Sequence, residues 1–216
     1  MKIGIFDSGI GGTTVMQEIK LLLPHEEYFY LADTKNCPYG EKSDKELYAA
    51  VTNIVNQLAD WGAKLIVIAC NTATTRCIKK LRRDYPSITF VGTEPAVKPA
   101  TEIRGTKDIV ILATESTARS PRLKYLINTF KKPGQTITVI PCPGLADAIE
   151  SKDQAKIDSV LSSLLTFSSP DVIVLGCTHY PLVKNKIAQK YPSAVLIDGG
   201  AGVAKRVKTI LSSRCS

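Results

Sequence analysis

An α/β protein of two similar domains, each a mainly parallel sheet flanked by helices, is the fold this sequence predicts. Three observations predict it. Short apolar runs alternate with amphipathic segments along almost the whole chain. Several of the runs are continuously apolar, as strands covered on both faces are. The four most apolar each end in a polar or reactive residue: KIGIF before Asp7, LIVIA before Cys70, IVILA before Thr114 and VIVLG before Cys177. Within each half the spacing is the same, 70 − 7 = 63 and 177 − 114 = 63 residues, which points to a duplicated half-chain.

In order, the expected strands are 3–6, 28–31, 65–69, 89–91, 109–113, 136–140, 172–176 and 194–197. Between them the helical pattern covers 14–23, 45–61, 73–84, 119–130, 156–166 and 182–189. Such alternation builds parallel sheets through right-handed crossovers. Helix and strand signals both lapse around Glu94, Pro95, Ala96 and Pro99, so the division is expected there. The first domain would comprise 1–95 plus a returning segment 199–216, and the second 96–198. The stretch after Asp198 is brief and ends SSRCS, which predicts a reduced closing helix.

The bulk composition narrows the function. At 216 residues with 44% hydrophobic and 22% charged side chains, the chain has material for one large or two small cores and is not a disordered or fibrous sequence. No apolar run reaches membrane-spanning length. MKIGIFDSG enters a strand pattern at once, leaving no room for a signal peptide, so the expected location is the cytoplasm. Six scattered cysteines (Cys37, Cys70, Cys77, Cys142, Cys177 and Cys215) without a CxxC pair argue against a disulfide framework or a structural zinc site. The net charge of +8 comes from dispersed lysines and arginines; short clusters such as Lys79, Lys80, Arg82 and Arg83 read as a solvated helix face.

Ligands of open α/β sheets bind outside the carboxyl ends of the strands, where Asp7, Cys70, Thr114 and Cys177 all fall. Two domains facing one another would set Cys70 and Cys177 on opposite walls of one cleft. DSGIGG, residues 7–12, follows the first strand and precedes a helix; its glycines let backbone N–H groups approach an anion. ACNTAT, residues 69–74, places Cys70 at a helix start, where the dipole and free N–H groups favour a thiolate. Asn71 and Thr72 suit capping or a substrate's charged groups. GCTHYP, residues 176–181, is expected to repeat that arrangement, with His179 two residues past Cys177.

Three chemistries compete for the last motif. A metal would need further ligands, and the only other histidine is His25. A Cys–His hydrolase would leave Cys70 unexplained. Two facing thiols suit a reaction that removes a proton from one face of a carbon and returns it to the other. A non-catalytic basic binding protein, using the positive charge on nucleic acid, is a further alternative. CPYG, residues 37–40, reads alone as a proline–glycine turn, and Glu150 in CPGLADAIE as a solvated glutamate on a helical turn.

Taken in order, FDSGIGG, PYGEKS, IACNTAT, CPGLADAIE and LGCTHYP resemble the glutamate racemases of the cofactor-independent aspartate/glutamate racemase superfamily, over essentially the whole chain. The resemblance implies interconversion of L- and D-glutamate with no cofactor and no metal, supplying D-glutamate for peptidoglycan. It implies Cys70 and Cys177 as acid and base on opposite faces of the α-carbon. Asp7, Ser8, Tyr39, Gly40, Asn71, Thr72, Thr178 and His179 fall on its substrate-contacting positions, and Thr114 and Thr117 on a pair that holds the substrate carboxylate. Asp7 and His179 would assist the thiols, with Glu150 a weaker assistant. A homodimer is implied as well. A racemase for aspartate or another amino acid is the neighbouring alternative. The stretch 150–171 is short for such an enzyme, and Glu94 and Glu115 stand where less charged residues are expected; these departures bear on packing and oligomer geometry more than on chemistry.

Overall fold

In the computed structural model, which describes residues 1–213, the first sheet holds β1 (Lys2–Asp7), β2 (Glu27–Ala32), β3 (Leu65–Ile68) and β4 (Thr89–Gly92) in the order β2-β1-β3-β4. The second holds β5 (Asp108–Ala113), β6 (Thr136–Pro141), β7 (Val172–Leu175) and β8 (Val195–Asp198) in the order β6-β5-β7-β8. Every pairing is parallel. The second order repeats the first with each strand replaced by the one four places later. β3 and β7 are buried throughout, whereas the outer β2 and β6 are half exposed, which is why the inner runs are the continuously apolar ones.

The chain divides into two units: Met1–Thr93 with the closing segment from Gly199, and Glu94–Asp198. In the first, α2 (Asp44–Asp60) and α3 (Asn71–Asp84) cover one face of the sheet, and α1 (Gly12–Leu22) and α10 (Gly200–Ser212) the other. The twofold period of a strand sorts the side chains: Ile66 and Ile68 point to α2 and α3, Leu65 and Val67 to α1 and α10. In the second, α7 (Leu145–Glu150) and α8 (Gln154–Leu164) cover Ile173 and Leu175, while α4 (Val97–Glu102) and α6 (Pro121–Phe130) cover Val172 and Val174.

Four expectations change. α4 forms where signals lapsed, because Pro99 lies in its first turn, where a missing N–H costs nothing. The helix expected over 119–130 begins two residues later, as α6 with Pro121 at its start and Ser120 as its cap, and an unexpected short helix, α5 (Glu115–Ala118) capped by Thr114, precedes it. α10 is a full 13 residues, so the brief tail still completes the core with Val203, Ala204, Val207 and Leu211; Cys215 lies outside the described residues.

The fourth change concerns the repeat. β1 pairs Phe6 with Ile68, and β5 pairs Leu112 with Leu175. The register separations are therefore 68 − 6 = 62 and 175 − 112 = 63 residues. Cys70 and Cys177 keep equivalent places, each two residues past the inner strand. The counterpart of Thr114, however, is Ser8 rather than Asp7, because the first crossover is one residue shorter. Asp7 corresponds to Ala113.

Candidate active site

At the edge of the first sheet, the Asp7 side chain is fully buried and its Oδ2 accepts the Gly12 N–H at 2.8 Å. Gly12 has to be glycine: a Cβ there would lie 2.5 Å from the Asp7 Cβ. Cys70 caps α3, its Sγ accepting the Ala73 N–H at 3.5 Å and facing the Ser8 hydroxyl at 3.8 Å. Burial, then the Asp7 carboxylate, push the Cys70 thiol up to about 12 against the pull of Ala73, Ser8 and Thr72. Cys70 therefore rests as a thiol, with donors already arranged around the position a thiolate would occupy. Asn71 and Thr72 are buried in the first turn of α3.

Beside this edge runs the loop that leads from β2 to α2. Tyr39 is buried, and its hydroxyl donates to Asp33 Oδ2 at 2.8 Å. Asn36 Nδ2 donates to both oxygens of the same carboxylate at 2.9 and 3.0 Å, and the Asp33 N–H is bonded to Asp7 O at 2.9 Å. Burial and Asp33 hold the Tyr39 phenol well above its ordinary range, so it acts as a donor. From α3, the Arg76 guanidinium donates to Tyr39 O at 3.3 Å, Lys42 O at 2.7 Å and Asp44 Oδ1 at 2.7 Å. CPYG is thus a braced segment rather than a free turn, with Gly40 at its exposed tip. Neither Asp33 nor Arg76 was among the expected site residues. Asp33 directly follows β2, so the strand-end rule that marked the others could have found it.

At the edge of the second sheet, Thr114 caps α5, its Oγ1 accepting the Thr117 N–H at 3.3 Å and donating to the Thr117 hydroxyl at 3.1 Å. Gly176 lets β7 pass close to β5: a Cβ there would come within 2.6 Å of Leu112 O. Cys177 follows, with Thr178 buried beside it. No α-helix starts at Cys177. The expected repeat of the Cys70 arrangement gives way to a 3-10 turn, Tyr180–Val183, preceding α9 (Lys184–Lys190). In place of a helix start, Cys177 Sγ faces His179 Nδ1 at 3.7 Å. His179 is 2% exposed, and its Nε2 meets Glu150 Oε2 at 2.7 Å. Glu150 is therefore not the solvated residue its helical turn suggested, because α7 packs on the turn that carries Tyr180.

Each edge thus gathers its own residues: Asp7, Ser8, Tyr39, Asn71 and Thr72 about Cys70, and Thr178, His179 and Glu150 about Cys177, with the Thr114–Thr117 pair capping α5 at the end of β5. Among the described residues, no group of three or more His, Cys, Asp and Glu side chains is arranged to hold a metal ion, and no helix is long and apolar enough to cross a membrane. The residues gathered at each edge suit acid–base chemistry by a thiol among fixed hydrogen-bond donors.

A duplicated α/β fold with a thiol at the same edge position of each sheet suits an amino-acid racemase, and comparison supports that class directly. The sequence model of the Asp/Glu/Hydantoin racemase family matches residues 4–207, and the chain belongs to that family. Its relatives include the glutamate racemase of Pseudomonas aeruginosa, 40% identical over 98% of this chain and 82% of the relative. That of Clostridium acetobutylicum is 38% identical over 95% and 82%. Among solved structures, Escherichia coli glutamate racemase in complex with L-glutamate and the activator UDP-MurNAc-Ala superposes with a TM-score of 0.88. It is 33% identical in sequence, covering 98% of this chain and 82% of that one.

Proposed function

We propose that this chain is a glutamate racemase in which one cysteine takes the α-proton and a second gives a proton to the opposite face, without a cofactor. The observation that carries the reading is the equivalence of Cys70 and Cys177, each two residues beyond the matching inner strand of sheets with the same strand order. The curated relatives support glutamate as the substrate.

In this reading one cysteine, as thiolate, takes the α-proton from one face while the other, as thiol, gives a proton to the opposite face. The S–H bond formed and the S–H bond broken balance, and one turnover exchanges the protonation of the two sulfurs. The α-proton of an amino acid is weakly acidic, so the base must be aimed within contact distance. Cys70 rests protonated beside Asp7, and the substrate's ammonium entering near that carboxylate would offset its charge and ease ionisation of the thiol. At the other cysteine, a carboxylate can match only an N–H on His179 Nε2, so in the neutral imidazole Nδ1 is the acceptor that can take the Cys177 proton. Asn71, Thr72, Thr114, Thr117 and Thr178 would hold the substrate carboxylates, with Ser8 and the Tyr39–Gly40 segment bordering the site. Such preorganised donors are worth about 3 kcal/mol each where charge develops.

The family resemblance extends the reading to D-glutamate supply for peptidoglycan, a cytoplasmic location and a homodimer as the working assembly. The deciding experiment is incubation of pure protein with L-glutamate in deuterium oxide. Racemisation with deuterium appearing at the α-carbon is the expected result. No exchange with glutamate, or turnover of aspartate in its place, overturns the reading.

A further inference from the structure

Arg76 belongs to none of the motifs that mark the family, yet it ties two of them together. It lies six residues beyond Cys70, on the helix that Cys70 caps. Its guanidinium spends three donors on the segment entering α2: the carbonyls of Tyr39 and Lys42, and the Asp44 carboxylate. Ahead of the Ser43–Glu46 capping box that opens α2, the segment has little of its own to fix its shape. Its regular part is one 3-10 turn, Tyr39–Glu41, and such short turns hold poorly alone. The inner side of the segment is anchored by Tyr39 on Asp33, whose N–H is in turn bonded to Asp7 O. The outer side is anchored by Arg76. Asp7 and Cys70, two of the ionisable groups at this edge, are therefore each linked to the same few residues, one through β1 and β2 and the other through α3.

On the reading given above, Tyr39 and Gly40 border the substrate, and we propose that Arg76 is a positioning residue that locks their backbone to the Cys70 helix. The bond to Asp44 is not the important one. Asp44 is 89% exposed in its side chain, and an ion pair there is weak. The two carbonyl contacts require a planar fork with separated donors, which lysine cannot supply. A loosened Tyr39–Gly40 backbone would weaken substrate binding before it slowed proton transfer, because neither cysteine depends on Arg76 for its own hydrogen bonds.

The test compares Arg76→Met, Arg76→Lys and Asp44→Ala in the full chain. Arg76→Met is expected to raise KM for glutamate about tenfold, with kcat changed much less. Arg76→Lys should resemble it, and Asp44→Ala should stay near the parent. Amide hydrogen exchange across 39–42 should quicken in both Arg76 variants while that of α3 is unchanged. Should Arg76→Met fail to fold, Arg76→Lys carries the comparison alone. Parent-like KM in Arg76→Lys, or a loss confined to kcat, overturns the proposal. The exchange measurement needs no turnover. A parent chain inert toward glutamate would therefore sink the racemase reading while still reporting whether Arg76 holds the segment, and unchanged exchange at 39–42 overturns the lock itself.

Discussion

Glu150 and His179, 29 residues apart in sequence, meet at 2.7 Å between Oε2 and Nε2, and the other ring nitrogen looks toward Cys177 Sγ at 3.7 Å. In the neutral imidazole the carboxylate thereby fixes which nitrogen carries the proton. Glutamine at position 150 could offer Nε2 either a donor or an acceptor, so the imidazole would no longer be held in one tautomer. Glu150→Gln is expected to lower kcat about tenfold with a smaller change in KM. Steady-state rates in both directions check this, and an unchanged kcat removes Glu150 from the relay.

Each cysteine is expected to be indispensable to racemisation. Cys70→Ser and Cys177→Ser replace a thiol by a hydroxyl that ionises far less readily, and each should lose about a thousandfold or more in activity. A halogenated glutamate analogue needs only one base for elimination, so each variant should retain that reaction with one enantiomer. Full racemisation by either variant would end the two-thiol mechanism.

The pH behaviour of Cys70 has a definite sign. Its thiol stands at 9.0 unperturbed and about 12 in the fold, so between those values the folded chain keeps a proton that the unfolded chain gives up. The contribution to stability is complete below about pH 9 and is lost as the pH rises through the folded value. Asp7 is the second cause of the shift, after burial. Asp7→Asn should move the pH midpoint for iodoacetamide modification of Cys70 downward, read by peptide mass spectrometry. A midpoint unmoved by the substitution would show that Asp7 does not set the thiol's proton affinity.

Two glycines offer a matched pair of opposite outcomes. At Gly176 an added Cβ would meet the Leu112 carbonyl oxygen at 2.6 Å, an atom held in place because the Gly176 N–H donates to it. Gly176→Ala should cost about 1–3 kcal/mol and lower activity by shifting Cys177. Gly202 lies in α10 with nothing within 4 Å of such a Cβ. Gly202→Ala should stabilise by about 0.5–1 kcal/mol through helix propensity alone. Urea denaturation midpoints decide both.

Much of this was legible in the sequence because the informative positions are local. Inner strands announce themselves as apolar runs, and a run's last residue marks the sheet edge, which is how Asp7, Cys70, Thr114 and Cys177 stand out. The same reading erred by one residue in matching Asp7 to Thr114, since equal spacing does not fix register; only the pairing of Phe6 with Ile68 does. The local pattern also did not show that Cys177 precedes a 3-10 turn, because a strand followed by polar residues looks alike in either case. What joins distant segments was not legible at all. Nothing near Arg76 names Tyr39 or Lys42, and Glu150 became a partner of His179 only once α7 had packed.

Helix α10 supplies Val203, Ala204, Val207 and Leu211 to the core of the first unit, although residues 94–198 separate it from the rest of that unit. The order of synthesis is therefore the reverse of the order of completion. As the chain leaves the ribosome, the sheet formed by β5 to β8 has every segment it needs before the earlier sheet can close its α1 face. The half that begins first is finished last, and until residue 211 emerges, Ile3, Ile5, Leu65 and Val67 lack one of the two helices that cover them.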